Sequence, residues 1–85
     1  MSGHKSLRVV VFREEEVFVA QCLEHDICVQ ADSLPKLQER FEATLILEGK
    51  GLEAIDPAPA RFHEIWTNAV ALESRDACTE MRMAA

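Results

Sequence analysis

At 85 residues the chain has room for one domain, of a size that buries roughly 60–65% of the surface its unfolded form exposes, so association between copies would add useful stability. A hydrophobic fraction of 48% beside 28% charged residues excludes wholesale disorder. Fifteen acidic residues against nine basic ones give a formal net charge of -6, which disfavours direct nucleic-acid binding through counterion release and suits a basic protein partner.

Residues 1–6 are a polar lead-in, and the first predicted strand covers 7–13. Val9, Val10, Val11 and Phe12 place apolar side chains on both faces of that strand, so something must cover its second face. Glu14-Glu15-Glu16 makes a charged turn without Gly or Asn, which predicts a longer or bulged connection rather than a two-residue hairpin. A second strand follows over 17–22, then the reversal Leu23-Glu24-His25-Asp26 and a third strand over 27–31.

The period of the apolar residues then changes from about 2 to about 3.6, at Leu34, Leu37, Phe41 and Leu45. Ser33 is the expected N-cap, Pro35 is tolerated in the first turn, and Gly49 suits the C-terminal exit of a helix ending near Glu48. Asp56-Pro57-Ala58-Pro59 stiffens the approach to a second predicted helix, over about 60–73. Phe62, Ile65, Trp66, Ala69 and Val70 form its apolar face. Residues 74–85 show no clear period and are expected to fray.

The architecture predicted is a single α+β domain: a three-stranded antiparallel meander, a long helix packed on it, and a second C-terminal helix. With three strands, one face and one edge of the first strand would stay open, which predicts a homodimer or higher oligomer. The longest apolar runs, 9–12 and 17–20, are too short to cross a bilayer, and Met1-Ser2-Gly3-His4-Lys5 opens no secretory signal. The expected setting is therefore the cytoplasm, with Cys22, Cys28 and Cys78 as thiols. A hairpin could nevertheless bring Cys22 and Cys28 opposite each other.

Chemistry-bearing residues are few. Glu24, His25 and Asp26, with Asp32 one strand away, are the densest polar cluster. Carboxylates beside a histidine could bind a divalent metal for hydrolysis, but three consecutive loop residues point in different directions. The same loop could instead face a partner, and Phe62 with Trp66 could anchor one. The cysteines form no C-x-x-C pair, and no Ser-His-Asp order or phosphate-binding glycine loop is present. No catalytic residue, metal ligand or cofactor is assigned.

Taken together, Val9-Val10-Val11-Phe12, then Val17-Phe18-Val19-Ala20-Gln21-Cys22, then Asp26-Ile27-Cys28-Val29-Gln30-Ala31-Asp32-Ser33-Leu34 leading into the helix resemble the HicB-like antitoxin family over about half of the chain. The resemblance implies a partial ribonuclease H-like β-β-β-α unit that binds protein, occludes a small basic ribonuclease toxin and self-associates. The chain departs from the pattern in having Glu14 and Glu15 where the family commonly places Gly. It departs again in the loop Leu23-Glu24-His25-Asp26, where a Pro-rich, Gly-containing loop is usual. After Leu47 it offers one amphipathic helix and a tail where a DNA-binding module would stand, so it looks like a stand-alone member and operator binding is not carried over. The candidate partner-binding residues are Glu24, His25, Asp26, Phe62 and Trp66. A metal-assisted hydrolase using the loop carboxylates and a structural oligomerisation subunit are the alternatives.

Overall fold

The computed structural model of the chain describes residues 7–72 and 79–84. The expected α+β class is found, with more strands than the periodicity announces. Strands β1 (Leu7–Glu14), β2 (Val17–Cys22) and β3 (Cys28–Ala31) form the antiparallel meander. Helix α1 (Leu34–Glu48) follows, then a 3₁₀ turn (Gly49–Ala54), helix α2 (Ala60–Asn68), and strands β4 (Val70–Leu72) and β5 (Thr79–Met83). The sheet order is β3-β2-β1-β5-β4, with β5 parallel to β1 and antiparallel to β4.

Three expectations are corrected here. The sheet has five strands rather than three, because the tail from Thr79 onward adds to the free edge of β1, extended by Ala84 N–H donating to Val11 O at 2.7 Å. Helix α2 stops at Asn68 instead of continuing towards Glu73: Ala69 turns extended (ψ 161°), and Val70-Ala71-Leu72 pairs with β5. A short apolar run such as 69–72 fits either period, and hydrogen bonds to a waiting strand decide in favour of the sheet. The β1–β2 connection is also tighter than expected. Glu14 pairs with Val17, leaving only Glu15 and Glu16 in the turn, and Glu15 sits at φ 54°. Positive φ at the first central residue alone is the type II′ pattern, whose twist matches that of the flanking strands. The lead-in 1–6 and residues 73–78 lie outside the described residues.

Both faces of β1 are covered within the chain. Val9 and Val11 face α1 and join Ala20, Cys22, Ala31, Leu37, Phe41 and Met81 in the main core. Val10 faces the other way and packs with Leu23 and Ala58 beneath Phe62, Ile65 and Trp66 of α2. All three valines are completely buried, which explains the unbroken apolar run of this central strand. With α2 over one face and β5 along the edge, the open surface from which oligomerisation was predicted is closed inside one chain.

Helix α1 starts and ends as its sequence demands. The Ser33 hydroxyl accepts from Lys36 N–H at 3.4 Å, and Pro35 lies in the first turn. Gly49 closes the helix at φ 50°, ψ -123°, its N–H donating to Leu45 O. Leu37 and Phe41 are buried and Leu45 packs against the same core, so this stripe faces the sheet as its spacing requires. Among the described residues no helix is long and apolar enough to cross a membrane.

Candidate protein-binding surface

The reversal over residues 23–27 is sewn into the fold by its own polar groups. Glu24 accepts from Arg8 N–H at 2.7 Å and from Arg8 Nε at 2.5 Å, pinning the loop to the start of β1. Burial pushes the Glu24 carboxyl up, but the two hydrogen bonds from Arg8 and its guanidinium charge outweigh that and hold it below its ordinary value. His25 Nδ1 lies 3.3 Å from Ile55 O, and Asp26 N–H donates to Asp56 O at 2.6 Å. Ala58 N–H donates to Leu23 O at 3.0 Å. The stiff segment 55–58 thus serves as the loop's clamp.

Asp26 is exposed and its carboxylate accepts from Gln21 Nε2 at 3.0 Å, while Asp32 lies 3.6 Å from Lys36 at the mouth of α1. The three carboxylates therefore point to three different cations or amides. Among the described residues no three His, Cys, Asp or Glu side chains are gathered as a metal ion would need.

Phe62 and Trp66, the aromatic pair singled out as a partner anchor, lie half-buried against the sheet of their own chain. Phe62 stacks on Phe12 with ring centroids 6.2 Å apart. Trp66 lies beneath two guanidinium groups, Arg82 at 4.4 Å and Arg8 at 6.0 Å from the ring centre. Arg82 also donates through Nη1 to Ala69 O at 3.3 Å, and its Nε is buried without a hydrogen-bond partner among the described residues. These contacts tie α2 to β1 and β5.

Cys22 is buried in the main core and Cys28 is exposed on the opposite face, paired in register with Gln21, so the two thiols cannot be joined across the hairpin. Burial pushes the Cys22 thiol up. For Cys28, partial desolvation is the larger cause, and the carboxylates of Glu14 and Asp26 add to it. Both stay protonated and weakly nucleophilic at neutral pH. Cys78 lies outside the described residues.

The most prominent charged feature is the β1–β2 turn. Glu14, Glu15 and Glu16 are all exposed at the tip of a two-residue hairpin, and Arg13 Nε donates to Glu15 O at 3.2 Å across its base. Three like charges in succession repel, and a residue bearing a Cβ at positive φ costs about 1 kcal/mol or more, which glycine would avoid. The sequence carried the signal for this feature: an acidic run occupying a turn with no turn residue in it.

Compared with family models, curated proteins and solved structures, the chain matches none.

Proposed function

We propose that this chain is a protein-binding module, similar in role to a HicB-type antitoxin and working in the cytoplasm, which occludes a small basic ribonuclease by presenting an acidic prong to it. One observation carries the reading: Glu15 keeps a carboxylate at φ 54°, between two further glutamates, in a two-residue hairpin turn where glycine would be more stable. Strain and like-charge repulsion retained together on an exposed tip point to a use for the charge. A basic partner relieves the repulsion on contact and is steered in by a net charge of -6.

Two of the chain's exposed cations are engaged internally, Arg13 over Phe18 and on Glu15 O, and Arg40 on Gln30 O, while the side chains of Glu14, Glu15 and Glu16 are exposed. The resemblance of the β-β-β-α unit to HicB-like antitoxins supports the same class of partner. Coexpression with any small basic protein whose reading frame adjoins its gene is the direct test. A stable heteromer that suppresses ribonuclease activity, and that is weakened when Glu14, Glu15 and Glu16 are changed together to Gln, is expected. A basic neighbour that stays separate in gel filtration, or a complex indifferent to the triple substitution, would overturn the reading.

A further inference from the structure

The β1–β2 turn is tighter than its own residues favour, and one side chain beside it accounts for that. A two-residue hairpin turn needs positive φ at its first central position, a conformation that glycine takes freely and glutamate resists. Glu15 nevertheless sits at φ 54°, with Glu14 and Val17 paired across the base. A glycine-free acidic run left to itself relaxes to a longer loop built on a type I turn, in which neither central residue needs positive φ and the carboxylates spread apart. Something must hold the tight form closed.

Arg13 is placed to do so. It lies directly opposite Phe18 in the register of β1 and β2, and its guanidinium carbon is 5.6 Å from the centre of the Phe18 ring. From that seat its Nε–H donates to Glu15 O at 3.2 Å. Phe18 packs against the main core on the α1 face of the sheet, so the donor is held on that face. The direction of the Glu15 carbonyl is what separates the two tight hairpin turns. Turning over the Glu15–Glu16 peptide converts type II′ into type I′, carries the Glu15 oxygen away from Arg13 to the other face, and forces Glu16 to positive φ as well. Among the described residues Glu15 is the one non-glycine at positive φ, so Glu16 is spared that strain.

We infer that Arg13 is the positioning residue of the acidic turn: seated on Phe18, it holds the Glu15 carbonyl on the α1 face and so keeps Glu15 at positive φ and the turn at two residues. The same guanidinium sets a positive charge at the base of three exposed carboxylates, which lowers the repulsion that would open the loop. The bearing of this on a partner rests on the preceding reading, since a turn of one conformation presents its acids in one arrangement and an open loop does not. The contact itself is tested on the purified chain alone, so it can fail while the partner reading stands, and the reverse.

NMR of the labelled full chain reads the turn directly, because positive φ brings an amide proton close to the Hα of its own residue. The cross-peak between the two should be strong at Glu15 and ordinary at Glu16 in the parent chain. In Arg13→Gln it should fall at Glu15 to the level of its neighbours. Arg13→Lys keeps the charge but lacks the planar fork that stacks and donates together, and should lose most of the same signal. Thermal melts supply an independent measure. Arg13→Gln should lower the melting temperature of the parent chain, and by less than half as much when Glu15→Gly is already present, because glycine holds the turn unaided. An undiminished Glu15 cross-peak in Arg13→Gln, full retention of it in Arg13→Lys, or equal falls in melting temperature in the two backgrounds would overturn the inference.

Discussion

Glu15 and Gly49 are the two described residues at positive φ, and they stand in opposite relation to their sequence. Glu15→Gly should stabilise the fold by about 0.5–1 kcal/mol, because glycine adopts φ 54° without strain and one of three clustered charges is removed. On a chain of this size that is a rise of roughly 2–8 °C in melting temperature, readable in a thermal melt followed by circular dichroism. Gly49→Ala should cost about 1–2 kcal/mol in denaturant titration. A Cβ there meets nothing within 4 Å, so the whole cost is conformational. Glu24 supplies a pH signature. Its carboxyl is held below the ordinary 4.5 in the folded state, so the stability it contributes is present above that value and is lost as pH falls through the lower folded value. Stability should decline over that acid range, and Glu24→Gln should flatten this part of the curve in urea titrations stepped through acid pH.

Strand β5 decides more than its five residues suggest. It is the only described partner of β4 and it occupies the edge of β1 that the meander leaves open. Met81, aligned with Val9, is nearly fully buried in the main core. A chain truncated after Leu72 should therefore lose cooperative folding and associate through the bared edge of β1, visible as a broadened melt and light scattering. A sharp melt from a monomeric truncation would contradict this. At the other end of the sheet, β3 is an edge strand, and Arg40 Nη1 donates to Gln30 O at 2.8 Å across it, a side-chain cover of the kind that discourages unwanted strand addition.

The molecule as a whole divides its acidic residues between two uses. Glu24 is inside the architecture, paired to Arg8 and holding a loop, while Glu14 to Glu16 stand outside it on a tip that contributes little packing. Substituting the turn acids should thus move stability and partner binding in opposite directions: the Gln triple variant melts higher and binds its basic partner more weakly. Added salt should raise the melting temperature of the parent chain slightly, by screening the same repulsion, and leave the triple variant unmoved. A variant that lost stability and binding together would place these glutamates in the architecture after all.

Local chemistry was enough to determine β1 to β3, the start of α1 at Ser33, its end at Gly49 and the stripe Leu37-Phe41-Leu45, since each depends on alternation, a cap or a turn within a few residues. It also located α2 and its apolar face, though not where that helix ends. The adoption of 79–83 as a strand depends on the edge of β1, some seventy residues away, and no period within a five-residue segment can report it. The same distance hid the contacts of two candidate site residues: nothing near Glu24 in sequence announces Arg8 beside it, and nothing near Trp66 announces Arg8 and Arg82 over its ring. Hydrophobic period and backbone preference act between near neighbours and can be read along the chain, whereas an ion pair, a parallel strand or a leftover apolar face exists only once distant segments have been packed together.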